Sequence, residues 1–342
     1  MNNDDIDNRN NDSPGETLAQ TRELLLKGIA AEESFYGARF SGLDLSGLDL
    51  KGGDFGKADF SDAILTGSDL SDAILTGTVL KNADLSGAKL SGATLSEADL
   101  TEAVLEKASL ADADLTGANL TGARLSGADL HDAMCENVAM TNADLVMVKA
   151  NDTIFVGADL SGSRFMKSTC AKADFSQCRL AETDFSGAFL AEASVEGAVG
   201  IRANFNGADL TLLRASRGCN FSHACFVKTT GKESIWHDAV LRDADFSYAK
   251  MEGADFTKAM LERANFYAAD MKFARFRKAK LMHAKLVSMN LFEGTFEKAD
   301  LSGADLSGSN MYSAEFLETT IEGTIFKKTN LKMTKLSHYG RQ

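Results

Sequence analysis

Apolar and small residues return at every fifth position over most of the chain. From Phe40 the series reads Phe40, Leu45, Leu50, Phe55 and Phe60, then leucine without a break from Leu65 to Leu130. It continues through Cys135, Met140, Leu145, Ala150, Phe155 and Leu160 to Gly200, Phe205 and Leu210. Two places before most centres sits a small residue, usually alanine (Ala58, Ala83, Ala88, Ala93), and Asp or Asn often stands directly before the centre. A period of five matches neither the 3.6 residues of a helix nor the two of a plain strand, so the chain must turn once in every unit. With the centre and the preceding small residue inside and the other three positions outside, each unit reads as one short strand plus a corner. Glycine recurs two places after the centre (Gly42, Gly67, Gly87, Gly117), where a type II turn needs positive φ. The single proline, Pro14, lies outside the repeat, as expected of coils that keep every backbone donor.

Eleven residues separate Leu210 from Phe221, so the register slips by one there. The clock then passes through Phe226, Gly231 and Trp236 and runs regularly from Leu241 to Leu336. Phe centres recur nine times at a spacing of 20 residues and once at 15, which favours four units per coil; seven recurrences at 10 keep a smaller count open. The longest expected ladder is Phe256, Phe276, Phe296 and Phe316 with Trp236 above it, and another is Phe165, Phe185 and Phe205. The fold class is therefore an all-β solenoid of about 15 four-sided coils, a rod on the order of 70 Å at ~4.8 Å per strand step.

The expected organisation is a disordered tail over residues 1–14, a capping helix over 15–35, a first register over 36–210, a register shift with an irregular segment over 211–240, and a second register over 241–338. The helix rests on a stripe of Leu18, Leu25 and Ile29, started by Ser13 and Pro14. A solenoid needs such a cover over its open end.

The A-D/N-L-S/T-G consensus resembles the pentapeptide-repeat superfamily over about nine-tenths of the chain. That resemblance implies a right-handed quadrilateral β-helix. The segments 41–50 and 310–317 further resemble the long members associated with bacterial type VI secretion clusters, which would imply a part in loading or delivering effectors. Other members of the superfamily protect DNA gyrase from quinolones by mimicking DNA.

The 342 residues carry a formal net charge of −13, which disfavours direct nucleic-acid binding. No apolar run approaches the ~20 residues of a membrane span, and the polar start lacks the pattern of a signal peptide, so no membrane insertion is expected. Five cysteines without a CxxC pair fit reduced thiols in a bacterial cytoplasm, with any export independent of a signal peptide. The five histidines form no catalytic signature, and Cys219, His223 and Cys225 point apart in this register, so no metal, cofactor, small-molecule substrate or enzymatic activity is expected.

Charge is unevenly spread: residues 36–210 hold 26 acidic and 13 basic side chains, and residues 211–342 hold 15 and 20. Residues 20 apart should stack, so Asp112, Asp132 and Asp152 form an acidic column and Lys258, Lys278 and Lys298 a basic one. Solvated faces account for such columns; partner-binding faces of opposite charge are the functional reading. The expected function is a rigid, non-catalytic scaffold for protein partners of unknown identity. The alternative is a DNA mimic that binds a topoisomerase, which the acidic stretch fits and the basic stretch does not.

Overall fold

A computed structural model describes residues 14–337. The expected tail lies outside the described residues apart from Pro14, as does His338 at the end of the second register. The helix α1 spans Pro14–Ala30. Proline opens it, where the missing N–H is no loss, and Lys27 in the last turn suits the helix dipole and pairs with Glu23 at 2.6 Å. Glu32 takes a left-handed φ of 56° and the Glu33 amide donates to the Gly28 carbonyl at 2.9 Å, which closes the helix. It thus ends before residue 35, because Ser34 already bridges Asp54 and Phe35 is a buried centre of the first coil.

The chain divides into two compact units, Met1–Arg164 and Phe165–Gln342. In the first, parallel bridges join residues 20 apart without interruption from Ser34↔Asp54 to Asp144↔Arg164, so four five-residue sides close each coil. Each side is a single bridge between two corners, too short for an extended strand. The backbone repeats in the same way throughout: the Leu85 amide donates to the Val104 carbonyl at 2.7 Å, and Val104 donates to Ala83 at 2.9 Å. Leu85, Leu105 and Leu125 are wholly buried, as are the alanines two places before them.

Each consensus position has a local cause. The residue two after the centre lies in the left-handed region whether it is Gly67 (φ 62°), Asp62 (φ 58°) or Met147 (φ 54°). The Asp before the centre caps the corner: the Ser86 amide and hydroxyl both donate to Asp84 Oδ1, at 2.9 and 2.6 Å. Where serine replaces the inner alanine, its hydroxyl finds a backbone acceptor, as Ser68 does on the Leu65 carbonyl at 2.7 Å.

Helix α1 covers the first coil. Arg22 donates from Nη1 to the Asp44 carbonyl at 2.9 Å and from Nη2 to the Ser46 carbonyl at 2.8 Å, acceptors that in later coils receive backbone amides. Leu25 is buried, and Ile29 packs where a Cβ on Gly53 would stand, with its Cδ1 2.6 Å from that position.

The second unit repeats the pattern with one insertion. Bridges lengthen from 20 to 21 residues between Val199↔Asn220 and Arg214↔Ile235, then return to 20 at Asn220↔Val240. The extra residue sits in a widened corner at 216–218, where Arg217 and Gly218 both take positive φ. Ala215 is therefore still a buried centre of the first register. The expected irregularity over 211–240 shrinks to that corner, and residues 227–238 form regular sides, with Thr230 and Ile235 bridged to Lys250 and Asp255.

Because the added residue stays outside, the core stack passes through unbroken. Phe165, Phe185, Phe205, Phe226, Phe246 and Phe266 stack with centroids 4.6 to 5.1 Å apart. This ladder outruns the one expected to be longest, Trp236 through Phe316. The two columns also meet edge to face across the interior, as in Phe246 and Phe256 at 5.6 Å and 85°.

Candidate functional site

Lys258, Lys278 and Lys298 occupy one corner of the second unit, each in the left-handed turn position and each exposed. Their amides donate to the carbonyls of Arg277, Glu297 and Leu317 at 2.7 to 2.8 Å, so the backbone holds the column in register. Acids bound it: Lys258 Nζ lies 3.8 Å from Asp238, and Lys298 Nζ lies 3.7 Å from Glu318 and 3.9 Å from Glu297. The expected three-lysine column is thus flanked along its corner by the carboxylates of Asp238 and Glu318.

Asp112, Asp132 and Asp152 share a corner of the first unit, again exposed and with φ of 60°, 56° and 56°. His131, which linear signatures passed over, joins them. Its Nε2 is 3.1 Å from Asp132 Oδ2 and its Nδ1 3.1 Å from the Asn151 carbonyl. One ligand atom each of His131, Asp132 and Asp152 falls within 4.8 Å of the others, a separation one cation could span. All three side chains are exposed.

The Cys219, His223 and Cys225 set does not converge. Cys219 is buried and burial, with the charge of Glu196 adding to it, pushes its thiol up to about 12. His223 is turned to the surface beside Asp243 at 3.9 Å. Burial likewise pushes Cys170 up to about 12, against a hydrogen bond shared with Ser168. Such thiols have little nucleophilic character.

A notch of about 520 Å³ opens at Gly253 in the second unit. Asp255 and Arg275 line it, and so do Leu212, Ile235 and Phe273, which are exposed by 44, 37 and 43%. Burial opposes ionisation of Asp255, but the close approach of His237 and hydrogen bonding from Thr257, whose amide donates to Oδ1 at 2.9 Å, outweigh it and hold the carboxyl below the usual carboxylate range. His237 Nε2 lies 2.9 Å and Arg275 Nη1 3.6 Å from Asp255 Oδ2. The signal for this place was available only in columns: Glu233, Gly253 and Phe273 lie 20 apart, and the small residue stands between two large ones.

The family model described as pentapeptide repeats (8 copies) matches the chain in successive segments from 38–77 to 178–212 and from 232–263 to 290–327. No sequence among the curated proteins matches it. Among solved structures, the chain is similar to HetL, a pentapeptide repeat protein involved in heterocyst differentiation regulation from the cyanobacterium Nostoc sp. strain PCC 7120. Identity is 23%, with 92% of this chain and 96% of that one covered and a TM-score of 0.23. It is also similar to a trypsin-treated form of QnrB1, a plasmid-mediated fluoroquinolone resistance protein, at 19% identity over 59% of this chain and 81% of that one, TM-score 0.24. A pentapeptide repeat protein from the Arabidopsis thaliana thylakoid lumen is 26% identical over 33% of this chain and 69% of its own, TM-score 0.17. No helix among the described residues is long and apolar enough to cross a membrane.

Proposed function

Since the chain belongs to the pentapeptide-repeat family, whose coils form a right-handed quadrilateral β-helix, we propose that it is a non-catalytic scaffold that docks protein partners on its outward columns. The observation that carries this reading is the lysine corner of Lys258, Lys278 and Lys298. A backbone ladder holds the three lysines in register about 4.8 Å apart along the corner, so a partner has only their side chains to order. The flanking Asp238 and Glu318 neutralise the ends and leave a short basic segment whose complement is an acidic surface of matching pitch. The resemblance to members associated with type VI secretion supports an effector as that partner; baseplate, spike or sheath genes beside this one would support the same setting.

The test is reversal of the column, Lys258→Glu with Lys278→Glu and Lys298→Glu. Melting should change little, because exposed ion pairs contribute about 0 to 1 kcal/mol each. Recovery of a partner in a quantitative pull-down at low salt should fall sharply. Equal recovery by the variant removes the lysine corner from the interaction.

A second reading, a DNA mimic acting on a topoisomerase, is favoured by the corner of Asp112, Asp132 and Asp152, which presents carboxylates in a row. It requires that the full chain inhibit gyrase supercoiling or relieve its inhibition by a quinolone. Lack of both effects retires it.

A further inference from the structure

Four successive coils of the second unit place Leu212, Glu233, Gly253 and Phe273 at one left-handed corner position, with φ of 57°, 56°, 69° and 60°. Three of the four carry side chains, so the backbone does not demand glycine at 253. What Gly253 contributes is a gap. A Cβ there would stand 3.4 Å from Glu233 Cγ, in ordinary contact, and would begin to fill the notch between Glu233 and Phe273.

The charges around this gap do not balance. Asp255, which also lines the notch, is paired with Arg275 at 3.6 Å. Glu233 and Glu252 share a single cation, Lys232, at 3.7 and 4.0 Å, the loose end of ion-pair contact. All three of these side chains are more than half exposed, so the sharing is readily displaced. Next to the two carboxylates stand the Phe273 ring and Ile235. A cation with an apolar stem answers both demands, and a planar one adds attraction to an aromatic ring and bidentate hydrogen bonds to a carboxylate. An anion meets two carboxylates, and the nearby Arg275 is already committed to Asp255.

We infer that the notch at Gly253 is an anchor pocket for an arginine side chain of a protein partner, with the guanidinium between Glu233 and Glu252 and the stem against Phe273 and Ile235. The inference rests on the protein-docking reading only for the source of the arginine, since the pocket itself can be probed with a short peptide.

The probe is acetyl-Gly-Gly-Arg-Gly-Gly-amide, titrated into the full chain and followed by amide chemical shifts, with the citrulline peptide and agmatine as comparison arms. Shifts should cluster at Glu233, Gly253 and Phe273, and arginine should bind at least about tenfold more tightly than uncharged citrulline, the worth of one charge-assisted hydrogen bond. Glu233→Gln combined with Glu252→Gln should lose a similar factor. Gly253→Arg should abolish binding by occupying the notch from within, with the far-ultraviolet circular dichroism of both variants unchanged. Equal affinity for citrulline, or undiminished binding by the folded Gly253→Arg variant, overturns the pocket. Agmatine binding more tightly than the peptide overturns the protein source in favour of a free guanidinium compound. If no peptide binds while reversal of the lysine corner still lowers partner recovery, the pocket falls and the scaffold reading stands.

Discussion

Phe246 tests whether the aromatic ladder carries the second unit. Its ring stacks on Phe226 at 4.6 Å and on Phe266 at 4.9 Å, and meets Phe256 edge-on at 5.6 Å. It is wholly buried, and the coils above and below are tied through its strand by bonds such as Phe246 N–H to the Asn265 carbonyl at 2.7 Å. Phe246→Ala leaves a cavity that short, cross-tied sides cannot collapse into, so the loss should reach about 4 to 5 kcal/mol, the upper part of the range for such truncations. Phe246→Leu keeps most of the volume and gives up chiefly the ring contacts, for which about 1 to 2 kcal/mol is expected. Urea unfolding followed by the fluorescence of Trp236, itself 5.2 Å from Phe226, measures both. Hydrogen exchange adds the spatial test. In a stack where each coil touches its neighbours, protection should fall first at amides such as Phe246 and Asp245, whereas Leu306, bonded to the Ile325 carbonyl, should keep most of its protection. An alanine variant losing less than about 1 kcal/mol, or equal losses for alanine and leucine, would refute the ladder as the source of this core's strength.

Three further outcomes are expected. Gly200→Ala should destabilise by about 1 to 3 kcal/mol, because a Cβ there would lie 2.4 Å from Phe221 Cε1; a neutral melting temperature contradicts that packing. Native labelling with a thiol reagent at mild alkaline pH should modify Cys225 while sparing Cys135, Cys170, Cys178 and Cys219, which are buried; mass spectrometry showing rapid modification of Cys170 or Cys219 runs against thiols pushed up to about 12. Asp255, held below the usual carboxylate range in the fold, contributes stability that is fully present above about pH 4 and fades as pH falls through its lowered value. The melting advantage of the wild type over Asp255→Asn should therefore shrink in acid, and an advantage that stays constant from neutrality through that window rules the contribution out.

The fold was legible because one side-chain rule repeats with little exception. A centre every fifth residue fixed the inside, and glycines such as Gly67 and Gly87 marked a left-handed corner that Asp62 and Met147 then occupy as well. The continuation of the Phe205 ladder into Phe226 was hidden, since a ladder counted in steps of 20 breaks at an insertion that the structure confines to an outer corner. The end of α1 was misplaced because Phe35 reads equally well as a helix residue and as the first centre. Local pattern could not choose between them, and the bridge from Ser34 to Asp54 did. The lysine and aspartate columns followed from the coil period alone. The approach of His131 to Asp152 did not, because it depends on side-chain lengths across coils rather than on which residues share a column.

The twenty-residue coil also sets the steps by which such a gene can lengthen. Duplication of one whole coil leaves every later column on its old side, whereas gain of a single pentapeptide swings all that follows by a quarter turn and scatters any binding surface built across it. The corner at 216–218 shows a third route, in which one codon is added and no side changes its heading.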